Sequence, residues 1–146
     1  MTPQFIEAVA ILACTLFAGA AVYITAVEHP ARLSCGVEAA VAEWAPSYKR
    51  ATVMQVPLAL TAGLFGILRG TQGGGPLWLW ASVLILTVIP FTLLVIRPTN
   101  NRLLDPHRDR RSDETHRLLK VWGRLHAVRG GLSIAASVLF VWAATR

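Results

Sequence analysis

Only two cysteines occur in these 146 residues, Cys14 and Cys35, and they form neither a CxxC pair nor a zinc-type spacing. A disulfide framework and a structural zinc site are therefore excluded. Charge is scarce as well: 15% of residues are charged, against 54% that are hydrophobic. The glycines of "RGTQGGGP" are not followed by a Walker-type Lys and Ser/Thr, which argues against a phosphate cradle. Basic residues interleaved with aromatics are missing too, so nucleic acid is not an expected partner despite the net charge of +6. There is no convincing internal repeat and little chain left over for a soluble domain.

What the chain has instead is four apolar stretches that approach the ~20 residues needed to cross a bilayer. They predict an all-α integral membrane four-helix bundle, a single membrane domain over residues 1–146. The helices fall at about 5–27, 47–69, 77–96 and 120–144. No Lys or Arg precedes the first stretch, so it lacks the basic start of a cleavable signal peptide and is expected to stay as a helix. Positive residues gather in two loops. Arg32, Lys49 and Arg50 lie in the first, and Arg97, Arg102, Arg108, Arg110, Arg111, Arg117, Lys120 and Arg124 lie in or beside the third. The positive-inside rule then puts these loops in the cytosol, both termini outside, and the chain in the cell (inner) membrane. Anionic membrane lipids are an expected partner.

Small residues recur every four positions at Ala10, Cys14 and Ala18, at Ala59 and Gly63, and at Ala127, Gly131 and Ala135. Such stripes let membrane helices approach closely and leave room for a homo-oligomer. The glycines and Pro76 of "RGTQGGGP" predict a tight turn. In the first loop, Val37, Ala40, Val41 and Trp44 share one face of a short interfacial helix between Pro30 and Pro46. Ser47 is then expected to cap the second span. Pro90 is expected to free a backbone carbonyl near Thr92 and open a pocket.

From Ser112 onwards a capping residue and two acids start a helix that runs into the last span, where Leu119, Trp122, His126, Arg129 and Ser133 share a face. An ionisable side chain at that depth costs about 2.5–3.5 kcal/mol unless it snorkels or finds partners. Two on one face suggest a polar site. Other polar groups are expected at the same end of the bundle: Tyr23, Glu28, His29 and Arg32 from span one, Tyr48, Arg50 and Gln55 from span two, and Arg97, Asn100 and Asn101 after span three. The opposite end offers almost none.

The order "EHPAR", "WAPSYKR" with Gln55 beyond it, "RPTNNRL" and "LLKVWGRLHAVR" resembles the DUF1772 or anthrone-oxygenase-like family of small four-helix membrane proteins. The resemblance spans nearly the whole chain and implies motif positions at His29, Pro30, Trp44, Asn101, Trp122, His126 and Arg129. It also implies an oxidoreductase that uses dioxygen on a lipophilic polycyclic or phenolic substrate, without a classical cofactor. His126 would then be the base, since a neutral His titrates near working pH. Arg129 would stabilise the enolate or a peroxide, and His29 would be a second base or proton relay. Asn101 and Tyr48 would supply hydrogen bonds, and Trp44 or Trp122 would stack on a flat ring. Tyr23, Glu28, Arg32 and Gln55 complete the expected substrate-binding set.

Two alternatives stay open. One is a metal or haem redox site built from His29, His126 and Glu28, whose imidazole and carboxylate suit iron or copper. The other is a non-catalytic structural, lipid-binding or accessory protein. Hydrogen bonds between membrane helices average only about 0.6 kcal/mol, so a polar cluster of this size is excessive for stability alone.

Overall fold

The computed structural model describes all residues, 1–146, and contains helices and turns but no strand. Four rods, Pro3–Ser34, Val37–Gly74, Pro76–Leu103 and Asp113–Ala144, are long and apolar enough to cross a membrane. The chain is thus a multi-pass membrane protein. Within the rods lie α1 (Pro3–Tyr23), α2 (His29–Ser34), α3 (Val37–Arg69), α4 (Pro76–Phe91), α5 (Arg97–Leu103) and α6 (Asp113–Ala144). The main packing partners are α1 with α3, α3 with α4, α4 with α6, and α6 with α1, a closed ring of antiparallel neighbours.

Two of the rods contain a wide π-turn segment, Ile24–Glu28 in the first and Thr92–Ile96 in the third. Each is followed by a residue and then a proline, His29-Pro30 and Arg97-Pro98. A proline ring clashes with the carbonyl four residues back, here Ala26 and Leu94, and both carbonyls lie in the widened segments. One extra residue in the turn relieves the clash, and such bulges recur at functional sites.

That residue also changes which side chains face inward. Ile85 and Val88 are buried on α4, and an unbroken helix would carry that face on through Val95 and Arg102. Instead Val95 is exposed, and the inward face moves one place along to Ile96, Asn100 and Leu103, with Thr99 buried at its edge.

The first loop is shorter than the sequence implies. Residues 37–44 do form a helix with Ala40, Val41 and Trp44 buried, but it continues unbroken through Pro46 into the second span. Ser47 is therefore not a helix cap. It lies mid-helix, and its hydroxyl donates to Glu28 Oε1 at 2.6 Å. The turn falls at Cys35-Gly36, where Gly36 has a φ of 89° that favours glycine. The second turn falls at Gly73 and Gly75, also at positive φ. At the start of α6, Ser112 Oγ accepts from the Thr115 N–H at 3.2 Å, the cap expected there.

Small residues bring the rods together. Ala10, Cys14, Ala18, Ala59 and Gly63 are buried, but the stripe of Ala127, Gly131 and Ala135 faces outward. The inward face of α6 is instead Leu119, Trp122, His126, Gly130, Ser133, Ala136 and Phe140. Its bulky and polar members fix the helix phase and leave the neighbouring small stripe on the surface. One apolar core joins Phe17, Trp78, Ile85 and Phe140 in the middle of the bundle. A second, around Trp44, Ile96, Leu119 and Trp122, closes the end that carries the polar groups.

Candidate functional site

The two cores flank a polar pocket of about 20 Å³, room for roughly one water-sized group. The last rod contributes Trp122, His126 and Arg129, and α3 contributes Ser47, Tyr48, Thr52 and Gln55. Arg32, Ile24, Ala51, Thr92, Ile96 and Asn100 complete the lining. Both π-turn segments therefore border it.

The two arginines at the pocket differ in their partners. Arg32, 3% exposed in its side chain, is ion-paired with Glu28 and with Glu43 and donates to Ser47 Oγ at 3.2 Å. Two carboxylates neutralise it, and it ties α2 to α3. Arg129, largely enclosed by the bundle, has no carboxylate partner. It donates to the neutral Gln55 Oε1 and lies over the Phe17 ring, 5.2 Å from its centroid. A charge enclosed this way is costly unless something anionic joins it.

His126 is 3% exposed. Its Nδ1 lies 3.0 Å from Thr25 Oγ1, and its ring is stacked against Trp122 with centroids 4.9 Å apart. Nε2 has no partner in the protein. His29 is buried on the far side of Trp122, 5.1 Å between centroids. Its Nε2 is 3.0 Å from the Leu119 carbonyl. Carbonyls only accept, so Nε2 carries the proton and donates it. Nδ1 is left as a buried lone pair without a partner. Gly123 makes this fit possible, since a Cβ there would lie 2.6 Å from both Cδ2 and Nε2 of His29.

The structure thus gathers His126, Arg129, Arg32, Tyr48, Gln55 and Trp122 around one pocket, but not every expected residue. His29 fastens α2 to α6 behind Trp122 and does not line the pocket. Glu28 reaches it only through Arg32 and Ser47. Tyr23 is 56% exposed on an outer groove beside Glu28, Glu43 and Arg50. Asn101 is exposed, and it is its neighbour Asn100 that is buried and lines the pocket. Trp44 is fully buried, stacked on Tyr48 at 5.2 Å and edge-on to Trp122 at 5.7 Å. Neither tryptophan has a free face to offer a ligand.

Thr25, Glu43, Ser47 and Thr92 are the members that sequence spacing did not assign to the site, whereas Asn100 is among the polar groups expected at this end. Thr25 sits in a widened turn that no helical period foretells. For Glu43 the available signal was a carboxylate near Arg32 in the folded loop.

The groups around the pocket decide what it suits. Its lining has four buried N–H donors without a partner, on Gln55 Nε2, Asn100 Nδ2, Trp122 Nε1 and Arg129 Nε, against one unpartnered oxygen acceptor, Asn100 Oδ1, and the free ring nitrogen His126 Nε2. That excess of donors suits an anionic or oxygen-rich group rather than a cation. No three His, Cys, Asp or Glu side chains are placed together to hold a metal ion, so His29, His126 and Glu28 do not form one ligand set. An apolar cleft of about 110 Å³ shares Tyr48, Thr52, Gln55, Thr92 and Arg129 with the pocket. Its other walls are Phe17, Ala59, Val88 and Ile89, and its rim includes Val56 and Leu93, both exposed on the membrane-facing surface.

Fold and site together define a membrane-spanning four-helix protein with a donor-lined pocket at one end, reached from an apolar cleft. Residues 44–139 match the anthrone oxygenase family model, and the chain belongs to that family. It is 30% identical to the anthrone oxygenase tpcL of Aspergillus fumigatus over 143 residues, covering 91% of this chain and 89% of that one. It is 33% identical to the anthrone oxygenase nsrD of Aspergillus novofumigatus over 96 residues, covering 60% of this chain and 59% of the relative. No solved structure matches the chain.

Proposed function

We propose that this chain is an oxidoreductase that uses dioxygen on a lipophilic polycyclic or phenolic substrate at the donor-lined pocket, without a metal or cofactor. The observation that carries this is Arg129, an enclosed cation with only a neutral partner, one turn from an imidazole with a free nitrogen. The pocket holds only a water-sized group, so the flat ring system lies in the adjoining apolar cleft and projects toward lipid. Only its oxygen and its acidic carbon reach Arg129 and His126.

For an anthrone, His126 Nε2 removes a proton from the ring CH₂, giving an enolate whose oxygen is held by Arg129. The enolate passes one electron to dioxygen, and the resulting radical and superoxide combine to a carbon peroxide. Protonation by the imidazolium and loss of the remaining C–H with the O–O bond give the quinone carbonyl and one water. A positioned base contributes about 10²–10⁴-fold, and a fixed donor at the developing oxyanion about 10²–10³-fold.

The pocket end is assigned to the cytoplasmic side of the cell membrane, with both termini outside, because the basic loops lie at that end. Membrane lipids surround the cleft and deliver the substrate. The test is oxygen uptake by the detergent-purified protein with a hydroxyanthrone: one dioxygen consumed per quinone formed, abolished in His126→Ala. Normal turnover by that variant would overturn the proposal.

A further inference from the structure

Thr25 Oγ1 lies 2.9 Å from the Ala21 carbonyl oxygen and 3.0 Å from His126 Nδ1. The hydroxyl has one proton to give and two neighbours within bonding distance. If it donated to Nδ1, two oxygens bearing lone pairs would face each other at 2.9 Å with no proton between them, which is repulsive. Donation to Ala21 leaves an oxygen lone pair for Nδ1, and Nδ1 must then carry a proton. Every contact is satisfied in only that arrangement.

We infer that Thr25 is a positioning residue that holds neutral His126 in the Nδ1–H tautomer and so leaves the Nε2 lone pair facing the pocket. The widened turn at Ile24–Glu28 provides the geometry, because it brings Thr25 against α6 within bonding distance of His126. A threonine bonded to its own helix, four residues back, keeps its hydroxyl in place without a further partner. The catalytic consequence rests on the assignment of His126 as base, since a base needs its lone pair at the nitrogen that meets the substrate.

The test is ¹⁵N NMR of histidine-labelled protein in detergent, with the His126 signals assigned by their loss in His126→Gln. In the wild type the expected pattern is a protonated Nδ1 and a bare Nε2. Thr25→Val, close in size but without the hydroxyl, should shift the ring toward Nε2–H and lower kcat by about 10²-fold with KM little changed. Thr25→Ser should restore both the pattern and the rate. A wild-type ring protonated at Nε2, or a Thr25→Val ring with an unchanged pattern, would overturn the inference. If the tautomer behaves as stated but His126→Gln turns over normally, the lock stands and the assignment of His126 as base falls.

Discussion

Gly123→Ala should damage the site through a residue that never touches the pocket. The added Cβ would lie 2.6 Å from Cδ2 and Nε2 of His29, too close for the ring to keep its bond to the Leu119 carbonyl. Overpacking of this kind costs about 1–3 kcal/mol, and a buried N–H that loses its acceptor costs about 1–3 kcal/mol. Alanine returns about 1 kcal/mol through better helix propensity. The net loss is about 1–5 kcal/mol, read as a lowered melting temperature in detergent. His29 and His126 both lie against Trp122, so turnover should fall as well. The decisive variant is the double change with His29→Ala. Removing the imidazole removes the obstacle, so Gly123→Ala should be neutral or slightly stabilising in that background. A double variant whose loss equals the sum of the two single losses would refute the reasoning, as would a Gly123→Ala protein as stable as the wild type.

Asn100→Ala should reduce turnover while Asn101→Ala leaves turnover and stability unchanged within about 0.5 kcal/mol, since only the former is buried at the pocket; parallel kinetics and melting curves check the asymmetry. Replacing both Glu28 and Glu43 with Gln leaves Arg32 buried without a carboxylate and should destabilise the protein by about 3–5 kcal/mol, measured by thermal unfolding. Gly66→Ala would push a methyl group against Ser82 and Phe140 and should cost about 1–3 kcal/mol, whereas Gly131→Ala, which meets nothing, should cost nothing by the same melting assay.

The four rods, the Ser112 cap and the face shared by Leu119, Trp122, His126 and Ser133 could be read from the sequence, because apolar length and a helical period of 3.6 decide them locally. The period loses its authority wherever a turn widens. The bulge before Pro98 moved the inward face from the line of Val95 and Arg102 to that of Ile96 and Leu103, and the one before Pro30 brought in Thr25. Pro46 was read as a helix boundary, yet α3 runs through it, which turned Ser47 from a cap into a partner of Glu28 and Arg32. The small stripe at Ala127, Gly131 and Ala135 fits the pattern of a packing face as well as Gly130, Ser133 and Ala136 do. Only contact with the other helices separates them. The ionic environment was least legible: Glu28 stands four residues before Arg32, a spacing that pairs them on a helix, but nothing in the spacing brings Glu43 to Arg32 or leaves Arg129 without a carboxylate.

That contrast is the centre of the account, and it can be tested without turnover. A polycyclic phenol that cannot be oxidised, titrated by its absorbance in the presence of the purified protein, reports whether Arg129 receives an oxyanion. A fixed cation within about 4–6 Å should lower the apparent pKa of the bound phenol by about 1–3 units relative to the free compound, and Arg129→Met should abolish the shift while the protein still melts cooperatively. A bound phenol that ionises at the same pH with and without Arg129 would contradict the account.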